Sequence, residues 1–426
     1  MKYFIPDWED RLDPNYDFQT DTFGRERNEA YKTDIYAHQI FSKPPYDGIL
    51  ISLALFNSRS KITLKESKNG DKNIRELRTI KDYLKIPASS NLEVMGDCGA
   101  FSYINEDTPP AEYDTKLVAD VYHNLGFDYG VSVDHMIPDF ILKEDRKGRK
   151  KKIKLTKQQK EKRRQLTLDN AEEFLRYHRE RNYDFIPIGV AQGSDPIFYA
   201  DSVYNLLEMG YRYIGLGSLV PKRDDEIVDI LKAVKRVIDR HSKEENIRIH
   251  LFGVLRIKKL VEFRSLGVTS FDSASYLRKA WLRSDQNYLA PDKNWFSAIR
   301  IPYSNNPRLV KNAKEDGISE RELKQREEEC LKLIREYAQK PKNSNLERVL
   351  DAIMNYDSLL LRGFEGNHHR EKYMATLLAR PWEKCNCEVC KSLGVDVVIF
   401  RGANRNKRRG FHNTKIFYDL YLNSEE

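Results

Sequence analysis

The chain has 426 residues, 40% of them hydrophobic and 32% charged, with a formal net charge of +8. No apolar run reaches the roughly 20 residues that a bilayer-spanning helix needs. The N-terminal MKYFIPDWEDRLDP lacks the basic and apolar regions of a secretory signal, so a cytoplasmic globular protein with no membrane association is expected.

Apolar, β-branched runs ending in small or polar residues recur along the chain. They are GILISLALF (48–56), NLEVMGD (91–97), DYGVSVD (128–134), DFIPIGVAQG (184–193), RYIGLGSL (212–219), IRIHLFGVL (247–255) and VTSFDSAS (268–275). Helical patterns at 170–182, 198–210, 226–242 and 257–267 alternate with them. Near-continuous hydrophobic strands alternating with helices predict a parallel sheet covered on both faces. Seven such strands, with an eighth unplaced, favour an α/β fold of the closed (β/α)8 TIM-barrel type over an open doubly wound sheet. Gly215-Leu216-Gly217 lacks the third glycine and the acidic partner of a dinucleotide fingerprint. The barrel is expected to occupy residues 1–304. Amphipathic patterns at 318–339 and 345–361 then lead into a helical, zinc-binding C-terminal region, 305–426, packed on the barrel.

The charge is local. Between Lys143 and Arg164 thirteen Lys or Arg face only Glu144, Asp145 and Glu161, a net of +10, so the rest of the chain sums to −2. This polybasic insertion, 143–164, interrupts the barrel rhythm on the face where strands end and active sites are built. Such a run is either a solvated face or a segment that releases counterions from a phosphate backbone, and a polyanion is the better match. Arg401, Arg405, Lys407, Arg408 and Arg409 form a second basic cluster that could serve the same ligand.

Three of the five cysteines fall in Cys385-Asn-Cys387-Glu-Val-Cys390, followed by His412. Three thiolates and an imidazole make a closed tetrahedral Zn2+ site with no open position, hence a structural one. Spacing alone does not single out His412 among nine histidines. In a reducing compartment such cysteines bind metal rather than pair as disulfides.

Polar residues at the C-terminal ends of barrel strands are the catalytic candidates, because the scaffold aims them into one mouth. They are Asp97, Asp134, Gln192, Ser218 and Asp272. Each aspartate alone could cap a helix or close a turn. Two carboxylates in one site permit glycosyl transfer by double displacement, one attacking the anomeric carbon and the other moving a proton.

These segments together resemble the tRNA-guanine transglycosylase superfamily. GDCGAFS (96–102) and SVDHMIP (132–138) are similar to its two aspartate motifs, and GVAQGSD (189–195) to its Gln-Gly-Gly loop. YIGLGSLVP (213–221) resembles its glycine-rich turn, HLFGVL (250–255) its strand beneath the base, and SFDSASY (270–276) its nucleophile strand. The cysteine cluster with GFHNTKIFYDLY (410–421) resembles its zinc site and final helix. The resemblance implies Asp272 as nucleophile and Asp97 as general acid/base. It implies Asp134, Gln192 and Gly193 on one purine edge, backbone groups of Gly217, Ser218 and Leu219 on the other, and Phe101 and Phe252 sandwiching the ring. Ala100, Ser102, Ser194 and Pro221 depart from the tRNA enzymes' pattern, and the polybasic insertion is foreign to them. These departures resemble the DNA-guanine transglycosylase branch, which exchanges guanine in DNA for a 7-deazaguanine such as 7-cyano-7-deazaguanine. Double-stranded DNA and the free deazaguanine base are then the expected partners, with an accessory ATPase suggested by that branch. The alternatives are a tRNA enzyme with the same residues, or a non-catalytic zinc-stapled subunit that binds nucleic acid.

Overall fold

Eight parallel strands close on themselves in the computed structural model, which describes all residues except 9, 26, 28–32, 55–78, 145–147, 242–245, 283–284, 361, 363–365 and 424–426. The barrel strands are β1 (Lys2–Pro6), β2 (Gly48–Ser52), β3 (Glu93–Asp97), β4 (Tyr129–Val131), β7 (Ile186–Ala191), β8 (Tyr213–Leu216), β9 (Arg248–Leu251) and β10 (Val268–Asp272). A hairpin of β5 (Phe140–Glu144) and β6 (Lys150–Lys154) stands between β4 and β7. Hydrogen bonding follows the order β1-β10-β9-β8-β7-β4-β3-β2 and returns to β1. The (β/α)8 expectation holds. The unplaced eighth strand is the N-terminal KYFIP, which closes the ring by pairing Phe4 with Asp272 on one side and with Gly48 on the other.

The covering helices among the described residues are α1 (Ile80–Tyr83), α2 (Thr115–Leu125), α3 (Lys157–Arg181), α4 (Pro196–Met209), α5 (Asp224–His241) and α6 (Leu260–Ser265). Their ends follow local chemistry. Asp195 accepts from the Ile197 and Phe198 amides and Pro196 opens α4, whose C-terminal Gly210 is left-handed. Thr156 and Gln159 form a capping box at the start of α3. Inside the barrel, Phe4, Leu50, Met95, Tyr129, Val131, Ile188, Val190 and Tyr213 form the apolar core. Full burial of such side chains is worth about 1.5–3 kcal/mol each, which fills the barrel as packed protein rather than a pore.

The chain divides into two compact units, Met1–Glu9 with Tyr46–Ala274, and Asp10–Pro45 with Ser275–Glu426. The sequence placed a boundary at 304. The barrel is complete at Asp272, and the following residues build the second unit from α7 (Ser275–Leu282) onward. There β11 (Tyr288–Leu289) pairs with β12 (Trp295–Phe296), and β13 (Ile299–Arg300) pairs with β14 (Ile399–Phe400). Helices α8 (Pro307–Glu315), α9 (Glu320–Gln339), α10 (Leu346–Ser358), α11 (Gly366–Ala379), α12 (Glu388–Leu393) and α13 (Gly402–Asn423) complete it.

The second basic cluster is not a nucleic-acid face. Arg401, Arg405, Arg408 and Arg409 are all buried in the second unit. Arg401 pairs with Asp21 at 2.6 Å and also with Glu327, while Arg405 pairs with Asp396 at 2.9 Å and also with Asp21. Arg409 donates to the carbonyls of Val397 and Ala280, and Lys407 to that of Arg11. Arg401 and Arg405 are thus ion-paired, and Lys407 and Arg409 hydrogen-bond to carbonyls, all within the second unit.

The polybasic insertion folds as the β5–β6 hairpin and the first two turns of α3, so that helix begins well before residue 170. Arg163 is buried and donates to the carbonyls of Ile104, Glu106 and Met136, which makes it structural. Lys150, Lys152, Lys154, Lys157 and Lys162 are exposed.

Candidate active site and metal centre

Because all eight strands run parallel, their C-terminal ends share one rim. Asp97 ends β3, Asp272 ends β10, Gln192 directly follows β7, Phe252 directly follows β9, and Asp134 lies three residues beyond β4.

Asp134 is buried and accepts from Gln192 Nε2 at 2.5 Å and from Cys98 Sγ at 3.2 Å. Burial raises its pKa against the pull of those two hydrogen bonds. A carboxylate oxygen of Asp97, one of Asp134 and the Cys98 sulfur lie within 4.8 Å of one another. Asp97 accepts from the Gly99 amide at 3.1 Å, yet its pKa is raised to about 8. Desolvation is the main cause, followed by the charges of Asp134 and Asp272. Like charges in a low-dielectric site cannot all ionise, so one carboxyl keeps its proton near neutrality.

Gln192 is buried, and its Oε1 finds no hydrogen-bond partner. An unpaired buried acceptor costs about 1–3 kcal/mol, which a ligand donor would recover. The amide fits because position 217 is glycine: a Cβ there would stand 2.2 Å from Gln192 Nε2. Gly193 similarly gives way to the Tyr199 ring, with 2.8 Å to a built Cβ. Ser218 holds a left-handed backbone, φ 57°, and its hydroxyl accepts from the Ile137 amide at 3.1 Å. That bond ties the loop after β8 to the loop bearing Asp134. Leu219 buries its side chain completely and has only backbone groups to offer.

Phe101 stands 77% exposed on the Ala100–Tyr103 turn. Phe252 packs on the barrel core, against the backbone of Gly215, where a Cβ would come within 2.3 Å of the ring. The two rings are at the rim but make no ring contact with each other.

Asp272 is buried, with Oδ1 accepting from the Gly253 amide at 2.8 Å and lying 3.2 Å from His250 Nε2. His250 is wholly buried; its Nδ1 is 2.8 Å from Ser270 Oγ, which in turn meets Tyr213 OH at 2.5 Å. Sequence reasoning passed over His250. The available signal was an ionisable residue two positions before Phe252, set between Ile249 and Leu251 in the buried part of the strand. Asp272 Oδ2 takes no hydrogen bond from any described residue.

In the second unit, His412 Nδ1 lies 3.3 Å from the sulfurs of Cys387 and Cys390 and 3.7 Å from that of Cys385. All four residues are buried, and their ligand atoms lie within 4.8 Å of one another. His412 is thereby singled out among the described histidines. Its Nε2 donates to the Leu289 carbonyl at 2.7 Å, which leaves Nδ1 as the lone-pair nitrogen. Tyr288 stacks on the imidazole at 4.1 Å and contacts Cys390 Sγ at 3.2 Å. The cluster fits a tetrahedral metal ion.

No helix among the described residues is long and apolar enough to cross a membrane. No protein-family model matches the chain. The chain is similar to a DNA-guanine transglycosylase from Salmonella montevideo, 34% identical over 450 aligned positions that cover 100% of this chain and 99% of that protein.

Proposed function

This chain belongs to the DNA-guanine transglycosylase family, and from that premise we propose that it exchanges guanine in double-stranded DNA for a free 7-deazaguanine base by double displacement. The observation that carries the reading is the convergence of Asp97, Asp134, Asp272 and Gln192 on one barrel rim, where burial and the neighbouring carboxylates raise the pKa of Asp97 to about 8.

Asp272 is the nucleophile. Its Oδ1 is fixed by Gly253 and His250, leaving Oδ2 to attack C1′ as the bond to guanine N9 breaks. Asp97, with a pKa of about 8, is protonated at neutral pH and donates its proton to the departing purine. The products are free guanine and a deoxyribosyl ester on Asp272. In the second half, the Asp97 carboxylate takes the N9 proton of the incoming deazaguanine, N9 attacks C1′, and the Asp272 carboxylate leaves. Both halves balance, and both carboxyl groups return to their starting states.

Asp134 and the unpaired Gln192 Oε1 place two acceptors side by side, matching the N1–H and amino donors of a guanine edge. Backbone groups of Gly193, Gly217, Ser218 and Leu219 read the rest of the base, and Phe101 and Phe252 cover its faces. The target must leave the stack to reach this rim. Zinc is the metal that Cys385, Cys387, Cys390 and His412 would hold, as a structural ion with four protein ligands.

The test is incorporation of labelled guanine or 7-cyano-7-deazaguanine into duplex DNA and into tRNA, side by side. Incorporation into DNA supports the reading. Incorporation into tRNA alone makes the chain a tRNA enzyme, and incorporation into neither makes it a binding subunit.

A further inference from the structure

The hairpin between β4 and β7 presents two different chemistries on one face. In an antiparallel pair directly opposed residues share a face and alternate along each strand. Phe140 opposes Lys154, Leu142 opposes Lys152, and Glu144 opposes Lys150. That face therefore carries an aromatic and an aliphatic side chain, 55% and 42% exposed, each beside a solvent-exposed lysine. On the opposite face Ile141 is buried and its partner Ile153 is 41% exposed. Exposed apolar residues beside cations repay neither solubility nor a pure phosphate contact, since an all-lysine face would serve both better.

The base of the hairpin is fixed to the catalytic rim. The Leu142 amide donates to Asn105 Oδ1 at 2.7 Å, and Lys143 pairs with Asp107 at 3.0 Å. Arg163 links the carbonyls of Ile104 and Met136, at 2.9 and 2.8 Å. The Asn105 and Asp107 contacts hold the hairpin to the loop that follows Asp97, and Arg163 of α3 ties that loop to the one that follows Asp134.

We infer that the β5–β6 hairpin is a strand-separating wedge: Phe140 and Leu142 enter the base stack where the target guanine has left it, while Lys150, Lys152 and Lys154 hold the flanking phosphates. Lysines at alternate positions recur about every 6.8 Å, twice the axial rise of about 3.4 Å per nucleotide of one strand. An apolar side chain inserted at a base step offsets the unstacking that flipping costs. The partner is duplex DNA, chosen by charge complementarity and by exposed apolar side chains at the rim end of the hairpin that a phosphate backbone alone would not call for. The inference rests on the base-exchange reading above.

The test compares Phe140→Ala with the wild type on a duplex and on a single strand of the same sequence. A 2-aminopurine placed next to the target guanine reports unstacking by its fluorescence. Exchange on the duplex is expected to fall about tenfold or more, with the fluorescence rise lost, while exchange on the single strand stays within about twofold. Phe140→Trp should restore both. Equal loss on both substrates, or no loss on the duplex, overturns the wedge while leaving base exchange intact. Wild-type protein that exchanges guanine in neither DNA overturns instead the function from which the wedge follows.

Discussion

His250 Nε2 lies 3.2 Å from Asp272 Oδ1, and the same imidazole meets Ser270 Oγ at 2.8 Å through Nδ1. The pair turns one strand end into an oriented carboxylate, with Oδ1 held by His250 and Gly253 and Oδ2 left for the attack proposed above. Phenylalanine at 250 keeps a planar aromatic ring, somewhat larger than imidazole, and removes the contact. His250→Phe should lower the rate of adduct formation about ten- to hundredfold, the range of a hydrogen bond to a charged group. Base binding should fall less, because His250 touches none of the purine-edge residues and meets the base pocket only through the Phe252 ring at 4.6 Å. Equal losses in base affinity and in adduct rate would mark His250 as merely structural.

Asp97 should give the protein a pH-dependent stability that Asp97→Asn lacks. The folded pKa of about 8 exceeds the ordinary 3.8, so between those values the folded state holds a proton that the unfolded state releases. Stability from this group is therefore full below pH 3.8 and is lost as pH rises through about 8. Urea unfolding of both proteins at several pH values measures it. Wild type should lose stability relative to the variant as pH rises from about 4 to about 8, and a difference independent of pH would show that Asp97 titrates normally.

Removal of metal should unfold the second unit's cluster without abolishing chemistry at the barrel. Three buried thiols and an imidazole leave a bound ion no free coordination position. Cys387→Ser or a chelator should lower the melting temperature, and elemental analysis of the wild type should find about one zinc per chain. Zinc that is absent from active protein, or activity that follows the identity of a substituted metal, would contradict this.

The two basic clusters should separate cleanly. Replacing Lys150, Lys152 and Lys154 with Ser removes exposed cations, so the slope of log affinity against log salt should flatten by about 0.9 for each lost phosphate contact on duplex DNA. Arg405→Met should leave that slope unchanged and cost about 1.5–3 kcal/mol of stability, the range of a hydrogen bond to a charged group, because Asp21 and Asp396 each lose one arginine and keep a second, Arg401 and Arg335. Binding titrations at four salt concentrations and thermal melts distinguish them.

The barrel was legible because seven of its strands are buried on both faces and read as continuous apolar runs. The eighth was not, since no helical pattern in the sequence separates Lys2–Pro6 from the run at 48–56, and it reveals itself only by pairing with Ser270–Asp272 and Gly48–Leu50. Strand-end position identified Asp97, Asp134, Gln192 and Asp272, because a parallel barrel converts that one-dimensional property into proximity. His250 lay inside a strand pattern, where polarity has no positional meaning until the neighbours are known. Net charge in a window likewise carries no burial: it grouped Arg401–Arg409 with Lys150–Lys154, although Arg405 is fully buried and the lysines are exposed. The aliphatic and aromatic residues interleaved with the lysines gained meaning only from the cross-strand register of the hairpin.

The central claim is a covalent link between Asp272 and DNA. Wild-type protein incubated with duplex DNA and no incoming base, then denatured and digested, should yield a deoxyribosyl adduct on the peptide carrying Asp272, and Asp272→Asn should yield none and exchange no base. Turnover by Asp272→Asn, or an adduct mapped to Asp97 or Asp134, would contradict the account.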